Sequence, residues 1–118
     1  MKLEEIRQIL NAVVLTNNDF KDISVARAYG ADLMSDVLAF SITNSLLITS
    51  LTNTQVIRTA EVADVKAIVF VQSKRPDIKT IELAEEKKIP LFVTGCSMFD
   101  ACGRLYEKGL RCQTDTDF

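Results

Sequence analysis

Three short apolar runs, Leu46 to Thr49, Ala67 to Val71 and Leu91 to Thr94, recur along the chain, each followed by a polar loop and then an amphipathic stretch. The runs are rich in β-branched and bulky residues and too continuous to alternate, which predicts strands buried on both faces. Strand, loop and helix in repeating order is βαβ grammar. It predicts a single-domain, layered α/β/α fold around a mostly parallel sheet. In open sheets of this kind, the loops leaving the carboxyl ends of the strands form the ligand crevice.

The remaining elements follow from the same patterning. Leu3, Ile6, Ile9 and Leu10 share one helical face, with Glu4 and Glu5 in the first turn where the helix dipole favours them. Ala12 to Leu15 predicts a small strand that stops at Thr16-Asn17-Asn18-Asp19, and alternation from Ile23 to Ala28 predicts another, broken by Tyr29-Gly30-Ala31-Asp32. Asp32 is placed to cap a helix whose apolar side carries Leu33, Met34, Val37, Leu38 and Phe40. Thr52 or Asn53 can cap the helix that buries Val56, Ile57, Ala60 and Ala63. Pro76 suits the first position of a helix burying Ile78, Ile81 and Ala84 and ending near Lys88. Ser97 with Asp100 three residues on marks a last helix start, and Gly109 its stop.

Composition narrows the class. The 118 residues suit one domain, residues 1–112, with a short frayed tail at 113–118. An apolar fraction of 47% and a charged fraction of 25%, with no span-length apolar stretch and no signal-like opening, are those of a soluble globular protein with no membrane partner. A cytoplasmic location is expected. The net charge of -2 argues against nucleic acid as a partner, because sequence-independent phosphate binding needs a basic face. Three cysteines, Cys96, Cys102 and Cys112, offer no paired framework and fit a reducing compartment.

Five segments carry a resemblance to a known family: Tyr29-Gly30-Ala31-Asp32-Leu33-Met34-Ser35-Asp36-Val37-Leu38-Ala39, Ile48-Thr49 through Asn53 and Ala60, Arg75-Pro76-Asp77, Ile89-Pro90-Leu91, and Ala101-Cys102-Gly103-Arg104-Leu105-Tyr106. In this order they resemble the DRTGG domain family over nearly the whole chain. Such domains occur as stand-alone small proteins. They are also similar to regions of phosphotransacetylases and of CBS-bearing pyrophosphatases, and to the amino-terminal half of HPr kinase/phosphorylases. The resemblance implies an accessory or regulatory domain. The family's Asp-Arg pair would fall where this chain has Ser50-Leu51-Thr52-Asn53, and its Thr-Gly-Gly where it has Gln72-Ser73-Lys74. Both are absent, so their roles elsewhere are not carried to these positions.

The chemistry-bearing residues give three readings. A phosphate cradle needs clustered glycines with a Lys-Ser/Thr pair, and the four glycines here form no such pattern. With no histidine and no Cys-x-x-Cys, neither acid-base machinery nor a complete metal site is evident, and no cofactor is expected. Asp32 and Asp36 read first as a cap and a solvated helix face, and Lys74-Arg75 as surface charge. The leading expectation is a non-catalytic regulatory or ligand-sensing domain, a homodimer. Its small ligand, anionic or nucleotide-like, would meet Gly30, Asp32, Ser50, Asn53, Thr54, Ser73, Lys74, Thr94, Gly95 and Ser97, all on loops at strand ends. One alternative is a thiol-dependent enzyme using Cys96, which follows a strand and precedes a helix, a place where helix dipoles activate thiols. The other is a purely structural dimerisation module.

Overall fold

The computed structural model describes residues 1–40 and 43–113. Ten elements follow one another: α1 (Leu3–Ile9), β1 (Val13–Val14), β2 (Arg27–Gly30), α2 (Met34–Phe40), β3 (Ser45–Thr49), α3 (Thr54–Val62), β4 (Val65–Phe70), α4 (Ile78–Glu86), β5 (Leu91–Val93) and α5 (Met98–Glu107). The sheet order is β1-β5-β4-β3-β2. Strands β2 to β5 are mutually parallel, and β1 closes the β5 edge antiparallel, with Val13 opposite Val93. This is the α/β architecture that the apolar runs predict.

The strands are continuous apolar runs because both sheet faces are covered. Leu46 and Ile48, Ala67, Val69 and Val71, and Phe92 meet α1 and α5 through Leu3, Ile6, Leu10, Ala101 and Leu105. Leu47, Ile68, Phe70 and Leu91 meet α2, α3 and α4 through Met34, Val37, Val56, Ile57, Ala60 and Ala84. Alternate residues of one strand thus serve opposite layers. Phe20 adds an edge-on ring contact to Phe92, with centroids 5.1 Å apart.

Several local expectations are corrected. The second strand is Arg27–Gly30 rather than Ile23 to Ala28, and Tyr29-Gly30 continues it instead of breaking it. Ile23 and Val25 are held by the amino-terminal segment: the Leu3 amide donates to Ile23 and the Val25 amide to Met1. On α2 only Met34 and Val37 are buried, while Leu33, Leu38 and Phe40 are exposed. Pro76 precedes the cap of α4. The cap is Asp77, whose carboxylate accepts from the Thr80 amide at 2.9 Å, and Ile78 faces solvent because the next turn turns Thr80 and Ala84 inward. Ser97 caps α5 by accepting from the Asp100 amide, and Gly109 (φ 103°) follows the helix in the left-handed conformation that glycine adopts at no steric cost. The tail expectation falls, from Thr114 on, outside the described residues.

Candidate functional site

Parallel strands in one register bring their carboxyl ends to one edge, so the loops after β2, β3, β4 and β5 meet along a rim. Three sets of bonds join them. The Asp32 carboxylate after β2 crosses to the β3 loop: one oxygen accepts from the Thr49 hydroxyl at 3.0 Å and the Ser50 amide at 2.7 Å, the other from the Ser50 hydroxyl at 2.8 Å. The Val71 amide donates to Thr49. The Gln72 and Ser73 amides then donate to the carbonyls of Cys96 and Thr94, at 2.8 and 2.9 Å.

Asp32 is therefore a clamp between loops, not the cap of α2. A carboxylate offers several acceptor sites, and three donors from the Thr49-Ser50 turn occupy it. Burial pushes its pKa up. The Ser50 amide and hydroxyl, the Thr49 hydroxyl and the nearby Lys74 charge together outweigh that, and the net position is below the ordinary aspartate value.

The β4 loop reaches β5 only by unusual backbone. Gln72 and Ser73 are consecutive residues in the left-handed region, at φ 59° and 57°. That conformation costs about 1 kcal/mol or more for a residue with a Cβ. It turns both amides toward the Thr94-Gly95-Cys96 turn. Thr94 is itself anchored, its hydroxyl donating to Leu10 at 2.6 Å.

Four helices start at this rim; of α3, α4 and α5, the last two are capped by Asp77 and Ser97, whereas α3 has no side-chain cap bond from Asn53. Asn53, Thr54 and Lys74 are exposed. The Lys74 amide donates to the Val71 carbonyl, but among the described residues its side chain makes no hydrogen bond or ion pair, although its charge is felt at Asp32. Lys74 and the amino end of α3 are thus polar groups at the rim whose bonding capacity is not spent inside the fold.

The structure brings Asp32, Ser50, Ser73, Lys74, Thr94 and Gly95 together, and sets Asn53 and Thr54 at the α3 amino end. Ser97 is occupied as a cap. Gly30 is placed differently: it faces Cys102 and Met98 in the β2–α5 contact. Cys96 is partly buried, its amide donating to the Thr94 hydroxyl and its sulfur 4.0 Å from the Leu10 carbonyl oxygen. Among the described residues no cluster of three or more His, Cys, Asp and Glu could hold a metal ion, and no helix is long and apolar enough to cross a membrane.

Concave surface is found away from the rim as well. A cavity of about 270 Å³ runs between β2, β3 and α5, lined by Gly30, Ile48, Cys102, Tyr106 and Arg111 among others. Beside it, Phe99, Cys102, Gly103 and Tyr106 line a depression on the outer face of α5. Phe99 and Tyr106 are not among the site residues that the sequence predicts, although their seven-residue spacing around Gly103 marks a second apolar stripe on α5.

No protein-family model matches the chain, and no curated protein matches it. Among solved structures, the fold is similar to the CBS and DRTGG domains of the regulatory region of Clostridium perfringens pyrophosphatase, solved in complex with its activator, diadenosine tetraphosphate. The TM-score is 0.73 at 18% identity, over 88% of this chain and 45% of that one. The chain therefore spans less than half the length of that regulatory region, and at this identity the likeness is one of fold. The fold is DRTGG-like.

Proposed function

We propose that this chain is a regulatory domain that binds a small anionic, nucleotide-like ligand at the carboxyl edge of its sheet, between the amino end of α3 and Lys74. The observation that carries the reading is the contrast among α3, α4 and α5 at the rim: α4 and α5 are closed by Asp77 and Ser97, and α3 is left open beside a lysine whose side chain makes no bond. Backbone amides at a helix start together with an ammonium group are an anion-binding combination. The Asp32 clamp supports it by fixing the Ser50 turn that leads into α3. The similar pyrophosphatase region, a regulatory unit solved with a polyanionic nucleotide activator, favours the same ligand class. A non-catalytic role fits a rim without histidine and with Cys96 turned toward a carbonyl.

Thermal unfolding with ATP, diadenosine tetraphosphate and inorganic phosphate tests this reading. A ligand that binds only the folded state adds about 2.7 kcal/mol at about 100 times its Kd. The expected result is a saturable rise in Tm with a nucleotide, with affinity reduced about tenfold in Lys74→Ala and in Asn53→Ala, the size of one lost charge-assisted bond. A shift untouched by both substitutions, or no shift with any of the three compounds, overturns it.

A further inference from the structure

We propose that the cavity between β2, β3 and α5 is a binding site for a small organic acid with an apolar body, its carboxylate held at the mouth by the Arg111 guanidinium. The cavity measures about 270 Å³, close to the ~300 Å³ at which ligand pockets begin, so its occupant is small. Its lining is graded. Ile48 and Leu105 are each 1% exposed and form the floor, whereas Tyr106 is 60% exposed and marks the mouth. On the β2 side Ala28 offers the space only a methyl group, which leaves it unfilled.

The occupant follows from the charge at that mouth. Of the described residues lining the cavity, Arg111 alone belongs to the charged types. Burial pushes the Cys102 thiol pKa up, so that wall is neutral at neutral pH. Arg111 is fixed twice over. The Ala28 amide donates to the Arg111 carbonyl at 3.2 Å, which pins the segment to the outer edge of β2. The guanidinium lies 3.5 Å from the Tyr106 ring centroid, and its Nη1 donates to the Tyr106 and Leu110 carbonyls. Among the described residues, its Nε and Nη2 donate to no group and no carboxylate pairs with the charge. Those two nitrogens present the edge of the fork that a carboxylate accepts in bidentate fashion. An apolar floor under one fixed cation selects a molecule with a single anionic end and a hydrocarbon or aromatic body. A nucleotide is too large for this space and would set charge against Ile48 and Leu105, so the cavity and the rim take different ligands.

Amide NMR of the full chain, titrated with benzoate, hexanoate and the uncharged benzyl alcohol, tests the proposal. The expected result is saturable shifts at Gly30, Ile48 and Leu105, with benzoate binding about tenfold or more tighter than benzyl alcohol, the size of one charge-assisted pair. Arg111→Met should abolish that advantage and leave the affinity for the alcohol unchanged, a coupling that a merely structural role for Arg111 would not produce. Ala28→Leu, which fills the space, should weaken acid and alcohol alike, and Lys74→Ala at the rim should leave both as they are. The proposal is overturned if neither acid shifts these resonances, if benzoate binds no tighter than the alcohol, or if its advantage survives Arg111→Met. Binding that Ala28→Leu leaves intact, or that Lys74→Ala removes, overturns it as well.

Discussion

Gly30 and Cys102 share one space: a Cβ on Gly30 would lie 2.8 Å from the Cys102 sulfur and 3.3 Å from that of Met98. The missing side chain on β2 is what lets α5 lie against the sheet there. Gly30→Val is expected to destabilise the fold by about 2 kcal/mol, the usual size of an overpacking cost. Cys102→Ala in the same chain should recover part of it. Urea denaturation of the two single variants and the double one measures this coupling. Additive costs would show that the two residues do not compete for the space.

The Asp32 clamp makes a pH prediction. Because its folded pKa is held below the unfolded value, the stability it contributes is present above about pH 4 and is lost as pH falls through the folded value. Asp32→Ala should cost about 1 kcal/mol at neutral pH, and the gap to the native chain should close as pH falls through the folded value, where the native carboxyl becomes neutral too. Chemical denaturation at several pH values reads both. A gap that persists in acid would assign the loss to something other than the charged clamp.

Left-handed backbone at Gln72 predicts an asymmetry between two substitutions. Gln72→Gly removes the Cβ clash and should stabilise by about 0.5 kcal/mol net of the added chain entropy. Gln72→Val, β-branched at positive φ, should destabilise by about 1 kcal/mol or more. Equal effects would mean that the loop does not depend on that conformation.

Thiol chemistry separates the cysteines. Burial raises the pKa of Cys102 above the ordinary thiol value. It should alkylate more slowly in the folded than in the unfolded chain at neutral pH. The stability gained by keeping it neutral is full below about pH 8.5 and is lost as pH rises through the folded value. Cys96 is partly buried with its sulfur against the Leu10 carbonyl, and we expect it too to alkylate more slowly in the folded than in the unfolded chain. Mass spectrometry of iodoacetamide-treated protein resolves the sites, and rapid labelling of Cys96 in mild acid would revive the thiol-enzyme reading.

The parts of the fold that were legible in the sequence are those whose burial is complete. Strands β3, β4 and β5 announce themselves because every residue of β3 and β5 is buried, so no polar position interrupts the apolar run. Strand β2 hides because Arg27-Ala28-Tyr29-Gly30 has little strand propensity of its own and is only half covered; pairing with β3 decides it. On α2 the hydrophobic spacing overstated burial, since Leu33, Leu38 and Phe40 face outward. The rim's membership followed from topology alone. Its bonding did not: nothing in Gln72-Ser73 signals positive φ, the way a glycine would, and Asp32 looks the same in sequence whether it caps a helix or bridges two loops.

The antiparallel pairing of β1 with β5 also fixes a time order. Val13 waits for Val93, and Leu10 for the Thr94 hydroxyl. During synthesis the first segment leaves the ribosome early, yet its sheet partner is made last but for one helix. Until then α1 has no α5 to share a layer with, and the exposed edge of β5 does not yet exist to be covered. The amino-terminal segment thus acts as the closing latch of the molecule. A nascent chain halted after α4 would hold a sheet centre with one layer unfinished, the kind of species on which chaperones act.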